Sequence, residues 1–350
     1  MAVKTTCIGA YPKPDFVHLP DWFNVPAGPD TADPTKQWVD ALAAMGTEAS
    51  AIIERGVHQV VKDQVDAGID IPTDGEVARE NYIHYHCRHL NGFDFKTLTE
   101  KVLRGGTYSA QLPTINGAIS VRDTFLTGDY QRAQAATCQP VKVTMPGPMT
   151  VSDTNSDVFY NDPVKLGAAI ADALNVEVLA LADAGCQHIQ IDEPLFARKP
   201  DEALQYGFDN LERAFHGCPP SVTRTVHMCC GYPDRLDRND YPKADPSAYH
   251  RIADAIERSC IDAVSFEDAH RHNDLSLLEH LPTTSIIMGF VAIAKSRIEA
   301  VDEIRARMLT VLEYMDADRL IAAPDCGLGL LSREQAIAKL THLSLAAKSL

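Results

Sequence analysis

The sequence lacks any run approaching the roughly 20 apolar residues that a membrane-spanning helix needs. Its start, MAVKTTCIGAYPKP, also lacks the apolar core of a secretory leader. These two absences predict a cytoplasmic protein without a membrane partner. Positive charge is scarce as well: 32 Lys and Arg stand against 48 Asp and Glu, a formal net charge of −16. No basic stripe interrupts that balance, which excludes a nucleic-acid surface, since phosphate binding needs clustered Lys and Arg. A disulfide framework is missing too. Nine cysteines, an odd number spread through 350 residues, fit a reduced compartment and leave thiols available for metal. Low-complexity tracts and domain linkers are absent, so residues 1–350 read as one domain.

What is present is an alternation. Runs rich in Val, Ile and Ala end in Gly, Pro, Asp or Cys, and most follow a segment of helical periodicity. Eight candidate strands result: Thr5–Gly9, Ile69–Glu76, Val141–Pro148, His188–Pro194, Thr223–Gly231, Asp262–Asp268, Ile286–Val291 and Arg319–Gly327. The helices between them carry end signals. Asp162-Pro163 opens one that closes before Gly185, and Ser332 caps the last. This pattern predicts an α/β fold, a (β/α)8 TIM barrel with catalytic groups at the C-terminal strand ends. A doubly wound open sheet is the alternative. Leu90–Cys138, longer than a barrel connection requires, reads as an excursion over the barrel mouth holding a further short strand, INGAIS. Asp15–Trp38, rich in Pro and Asp, reads as a long loop after the first strand.

The chemistry follows from what stands at the strand ends. His227 and Cys229 are separated by one residue, so strand alternation puts both on one face. Cys326 ends the eighth strand within Pro324-Asp325-Cys326-Gly327, and Glu267 ends the sixth. Two thiolates, an imidazole and a carboxylate suit tetrahedral zinc. A His-x-Cys pair alone is a weak signal, because lone cysteines are commonly buried as small hydrophobes. Placement at barrel strand ends is what strengthens it. Cys230 points the other way and reads as structural, and the remaining cysteines have no partner at similar spacing.

The strings IGAYPKP, DGEVARENYIHYHCRHLNGFDF, MPGPMT, IQIDEP, VHMCC, SFEDAH and PDCGLG resemble, in order and spacing, the catalytic C-terminal half of cobalamin-independent methionine synthase. The likeness runs from about residue 5 to the C-terminus. It implies a single-barrel member of that superfamily, a zinc-dependent transferase moving a methyl group onto a thiol through a zinc-bound thiolate. Homocysteine would be the thiol and methionine the product. Zinc would be held by His227, Cys229, Glu267 and Cys326. Glu76 and Asp192 match positions that hold the amino group of homocysteine, as two carboxylates at a barrel mouth would do. The backbone of Ile8 and Gly9 would lie against the substrate.

Bland readings stand beside these. Either carboxylate could pair with Arg79 or Arg198, and Glu193 could serve a helix N-terminus. The chain also departs from the family pattern. Ala10 stands where the family has Ser, no Trp follows the GPMT segment, and Phe290–Lys295 replaces a segment bearing the family's His acid. Candidate proton donors are therefore His84 (with its neighbours Tyr82 and His86), His270 and Lys295. The methyl donor stays open between folate, a methyl-carrier (corrinoid) protein and another small donor. An alternative reading makes coenzyme M the thiol, with an epoxide or other small alkyl donor, using Lys13, Lys295 or Arg297 for the sulfonate.

Overall fold

The computed structural model describes residues 3–23, 35–103, 108–231 and 233–350. Residues 24–34 of the Asp15–Trp38 segment therefore lie outside the described residues, and Trp38 itself sits on the helix Thr35–Met45.

Ten strands occur among the described residues: β1 Lys4–Thr5, β2 Leu90–Leu103, β3 Tyr108–Val121, β4 Lys142–Pro146, β5 Ser156–Asp157, β6 His188–Asp192, β7 Thr223–Met228, β8 Ala263–Phe266, β9 Ser285–Val291 and β10 Leu320–Pro324. Seven form one parallel sheet in the order β1-β10-β9-β8-β7-β6-β4. Parallel neighbours need crossovers. These are the helices Pro163–Asp183, Leu195–Arg198 with Phe208–Ala214, Ser247–Arg258 and Val301–Val311, followed by Arg333–Lys348 after β10. The sheet is curled. Its edge strands β1 and β4 are both tied to the segment 71–73, by the isolated parallel bridges Thr6↔Ile71 and Thr73↔Lys142.

That segment is the one expected strand that forms bridges only. Pro72 has no N–H to give a ladder, and the Gln64 side chain occupies both polar groups of Thr73, accepting from its N–H at 2.9 Å and donating to its carbonyl at 3.0 Å. The other strands fall inside their expected spans or within a residue of them. End signals behave as their chemistry requires: Asp162 accepts from the N–H groups of Val164 and Lys165, Gly185 is left-handed at φ 92°, and Ser332 with Gln335 makes a capping box.

The excursion is larger than a short strand. β2 and β3, each of 14 residues, form an antiparallel hairpin, and β5 joins β3 in parallel. Leu103, at the end of β2, lines a cleft together with residues from the strand ends, so the hairpin reaches over them. Ile189, Ile191, Val226, Val264, Phe266, Ile286 and Met288 share one face of the sheet and are all 0% exposed, while the opposite face buries the polar Thr144, Gln190, Thr225 and Ser265. Among the described residues no helix is long and apolar enough to cross a membrane.

Candidate active site

Residues at or just after the C-terminal ends of β1, β4, β6, β7 and β10 meet at one cleft, whose empty space, counting its open mouth, is about 960 Å³. Ile8, Gly9, Glu76, Asp192, His227, Cys229 and Cys326 line it. Residues as far apart in the chain as Ile8 and Cys326 meet here because register aligns the strand ends: Asp192 pairs with His227, and His227 with Ser265.

The ligand atoms of His227, Cys229 and Cys326 lie within 4.8 Å of one another. His227 Nε2 stands 2.9 Å from Cys326 Sγ, while Nδ1 meets the Ser265 hydroxyl at 2.9 Å. Ser265 is the register partner of His227 on the neighbouring strand, and its hydroxyl fixes the ring so that Nε2 faces the thiols. Hydrogen bonding to Cys326 holds the Cys229 thiol well below the usual thiol range, against burial and with help from His227. A buried His/Cys/Cys set with one imidazole nitrogen already oriented fits a soft or borderline divalent metal.

Glu267 is not in that group. Its Oε1 accepts from Lys243 Nζ at 2.6 Å. Burial pushes the Glu267 carboxyl up while Lys243 works against that shift, and Glu267 in turn keeps the buried Lys243 ammonium above its ordinary value.

The two carboxylates expected to hold an ammonium, Glu76 and Asp192, both line the cleft. Glu76 sits in a left-handed turn, φ 57° after Gly75 at φ 66°, a conformation that costs a non-glycine residue about 1 kcal/mol. Its Oε1 accepts from Thr144 Oγ1 at 3.1 Å and from Arg79 at 3.4 Å, so the ion pair with Arg79 does exist. Its Oε2 has no hydrogen bond among the described residues. A Cβ at Gly9 would come within 2.7 Å of Glu76 Oε1, which is why glycine stands there. Asp192 Oδ1 accepts from Gln190 Nε2 at 2.7 Å, and the same amide donates to the Ile8 carbonyl at 2.8 Å, locking backbone and acid together. Burial pushes Glu76 up to about 7, with Arg79 opposing and Asp192 adding to the shift; burial likewise pushes Asp192 up to about 6, opposed first by His227.

Glu193, by contrast, is wholly structural. It accepts from the N–H groups of Met149 and Thr150 and from Thr150 Oγ1, closing the N-terminus of the helix Pro148–Asp153.

The three expected proton donors do not reach the cleft. His84 is buried against Thr35 and Asn81 at Nδ1 and the Thr154 carbonyl at Nε2, and burial drops its pKa to about 4. His270 has both nitrogens committed: Ala294 N–H donates to Nε2 at 3.2 Å, so Nδ1 carries the proton and donates to Asp325 at 2.6 Å. Lys295 pairs with Asn239 beside a separate shallow pocket. Lys13 and Arg297 are likewise committed, to Asp21 and Glu303, and line no part of the cleft.

Sequence reasoning underused several lining residues. Trp22 and Phe23, from the loop after β1, stand with Tyr82 at the mouth, and the Trp22 and Tyr82 rings are 5.4 Å apart. Arg198 lines both the cleft and a groove beside it, and makes no hydrogen bond or ion pair among the described residues. Tyr82, weighed beside His84 as a residue that could face the pocket, does line it, whereas Trp22, Phe23 and Arg198 carried no signal beyond their place in loops that follow a strand.

Comparison with known proteins agrees with the geometry. Residues 26–349 match the family model of the cobalamin-independent synthase catalytic domain. A methionine synthase of Sulfolobus acidocaldarius is 26% identical over 343 residues, covering 97% of this chain and 90% of the relative. The solved structure of a B12-independent methionine synthase from Shewanella sp. W3-18-1, in complex with selenomethionine, superposes with a TM-score of 0.86 at 29% identity, covering 100% of this chain and 98% of that one. A methyltransferase from Methanosarcina mazei shares the fold at a TM-score of 0.63 and 12% identity, covering 99% of this chain and 94% of that one. With nearly its whole length matched by that model, the chain belongs to the cobalamin-independent methionine synthase family.

Proposed function

We propose that the chain methylates the sulfur of homocysteine, giving methionine, at a zinc site formed by His227, Cys229 and Cys326. The observation that carries this reading is the meeting, in one cleft, of a His/Cys/Cys set with two buried carboxylates. Zinc bound there would supply the positive charge that lets a thiol lose its proton near neutral pH. The chain's own residues do the rest. Glu76 Oε2 and the second oxygen of Asp192 take the substrate ammonium by charge-assisted hydrogen bonds. Gln190 fixes the Ile8 carbonyl against that ammonium, and Gly9 lets the backbone approach. Ser265 keeps the His227 ring from turning.

The selenomethionine in the Shewanella relative supports a methionine-shaped ligand in this cleft. The Trp22, Phe23 and Tyr82 wall is the surface on which a methyl donor would arrive, whether a small molecule or a methyl-carrier protein. Coenzyme M is disfavoured, because Glu76 and Asp192 would repel a sulfonate and the cations suggested for it lie elsewhere. We read the sheet as a closed (β/α)8 barrel in which 71–73 is the eighth strand, and residues 1–350 as one cytoplasmic domain; the two bridges to β1 and β4 support the closure.

X-ray absorption of the zinc-loaded protein tests the acceptor. Homocysteine should add one sulfur to the metal's shell, followed by methionine formation with a methyl donor. A new sulfur with coenzyme M but none with homocysteine would overturn the reading.

A further inference from the structure

We propose that the groove beside the cleft is a subsite for the methyl donor, in which Arg198 binds an anionic group, a carboxylate or a phosphodiester, carried on the donor away from its methyl. The inference rests on the methyl-transfer reading above. Leu103, Asp153, Leu195 and Arg198 line both cavities, so the two adjoin and Arg198 stands at their boundary. The groove's empty space, counting its open side, is about 1330 Å³, and it contains none of Ile8, Gly9, Glu76 and Asp192, the residues read as holding the acceptor. It has room for the body of a donor and no part in gripping homocysteine.

Charge in the groove runs against that of the chain. Five Lys and Arg residues line it with two acids, Asp153 and Asp245, whereas the whole chain carries a net charge of −16. Three of these cations have carboxylate partners: Lys199 pairs with Asp153 at 2.9 Å, Arg251 with Asp201 and Lys243 with Glu267. The other two do not. Lys101 Nζ donates to the backbone carbonyls of Asp153 and Asn155, at 2.6 and 2.9 Å, which ties the hairpin to the rim of the cleft and leaves the ammonium without an ion-pair partner among the described residues. Arg198 makes neither a hydrogen bond nor an ion pair among them, and its guanidinium lies over the turn after β7, with Nη2 3.6 Å from where a Cβ on Gly231 would stand.

A half-buried guanidinium keeps its charge at every working pH and presents a planar fork of donors matched to carboxylate or phosphate oxygens. Asp153, the acid on the shared wall, is claimed by Lys199 instead. The acceptor's own carboxylate is the competing guest. It sits on the same carbon as the ammonium and so stays beside Glu76 and Asp192, neither of which pairs with Arg198 or lines the groove. Only a second, longer molecule has a use for the groove.

The test is equilibrium binding to the zinc-loaded protein, followed by calorimetry, for the wild type, Arg198→Met and Arg198→Lys. One pair of probes is methylcobalamin, whose nucleotide loop carries a phosphodiester, and methylcobinamide, which lacks it. The other is 5-methyltetrahydrofolate and its dimethyl ester. At least one anion-bearing probe should bind the wild type, lose about tenfold or more in Arg198→Met and about threefold in Arg198→Lys, and weaken with added salt. Its counterpart without the anion should bind more weakly and ignore the substitution. The pair that responds identifies the anion as phosphodiester or carboxylate. Methionine should bind all three proteins within about threefold. If Arg198→Met does not fold, Arg198→Gln, which keeps a hydrogen-bond donor and drops the charge, should show the same loss. An anion-bearing probe bound equally by wild type and variant overturns the proposal, as does a loss shared by the counterpart without the anion, or no binding of either anion-bearing probe. So does a methionine affinity that falls with Arg198, which would make this residue the anchor of the acceptor's carboxylate. Methionine that fails to bind the wild type removes the acceptor reading, a result independent of what Arg198 does to the probes.

Discussion

Asp325 and Cys326 are neighbours just after β10, yet their side chains enter opposite surroundings. Asp325 turns into a closed corner. Its two oxygens accept from the N–H groups of Asp268, Ala269 and His270 and from His270 Nδ1, all at 2.6 to 2.9 Å. His270 is in turn closed by Ala294, and a Cβ on Gly289 would collide with Asp325. Against its burial, His270 and the N–H groups of Ala269 and Asp268 hold the Asp325 carboxyl below its usual range. Cys326 turns the other way, into a cleft with His227 and Cys229, where the neighbouring Glu76 and Asp192 each keep an oxygen without a hydrogen-bond partner among the described residues. Both corners are buried, polar and built on strand ends. What separates architecture from chemistry here is the count of satisfied hydrogen bonds.

The largest test of that contrast is on the open side. Cys229→Ser or Cys326→Ser should reduce zinc affinity and methyl transfer at least about 100-fold, since even residues that only orient a metal ligand are worth 10- to 100-fold. Metal analysis and turnover on the same samples would measure both. Full zinc content in either variant would remove that cysteine from the ligand set.

On the closed side, His270→Ala should do the reverse. It opens a buried carboxylate, so stability should fall by roughly 2–3 kcal/mol, read as a lower denaturation midpoint. Zinc per folded chain and kcat should stay within a few-fold of wild type. If the folded variant were as inactive as the cysteine variants, His270 would belong to the reaction and the contrast between the two corners would collapse.

This contrast also marks how far the sequence could be read. Residue type and position at strand ends singled out His227, Cys229 and Cys326, and the family resemblance supplied Glu76 and Asp192; all five line one cleft because a parallel sheet brings strand ends together whatever their separation in the chain. They did not suffice for His84 and His270, whose fates are decided by Asn81, Thr154 and Ala294, partners without any sequence signature. Lys243 on Glu267 was invisible for the same reason. Likewise Pro72 and Gln64 reduced the second strand to bridges, and the hairpin of β2 and β3 was hidden by polar, exposed residues that follow no clean alternation.

A smaller effect sharpens the acceptor wall. Glu76→Gln should raise the KM for homocysteine about tenfold, the loss expected for one charge-assisted hydrogen bond. Binding of methionine, which has no thiol to titrate, should tighten as pH rises through about 6 to 7, because Asp192 and Glu76 must ionise to hold an ammonium. Calorimetric titration across that range would show it, and Glu76→Gln should flatten the upper part of the curve. An unchanged KM together with a flat profile would return Glu76 to a purely structural partner of Arg79.

The smallest effect on activity belongs to Glu193, the acid next to Asp192 that faces the other way. Burial pushes its carboxyl up to about 8 despite three hydrogen bonds from Met149 and Thr150. A carboxyl whose pKa is higher in the fold than in the unfolded chain binds a proton more tightly when folded. Its contribution to stability is therefore complete at acid pH and is lost as pH rises from the ordinary carboxylate range to about 8. Glu193→Gln keeps the shape, and its amide oxygen can still accept from the helix N-terminus, so stability at acid pH, where Glu193 is protonated folded and unfolded alike, should change by less than about 1 kcal/mol. The variant should also lose up to one proton of slope, about 1.4 kcal/mol per pH unit, from the stability profile between pH 5 and 8. Denaturant unfolding at several pH values measures this, with kcat expected to hold steady because the residue faces a helix end. A variant with wild-type pH dependence would mean that the three donors keep Glu193 ionised, and the two adjacent acids would then differ in direction alone.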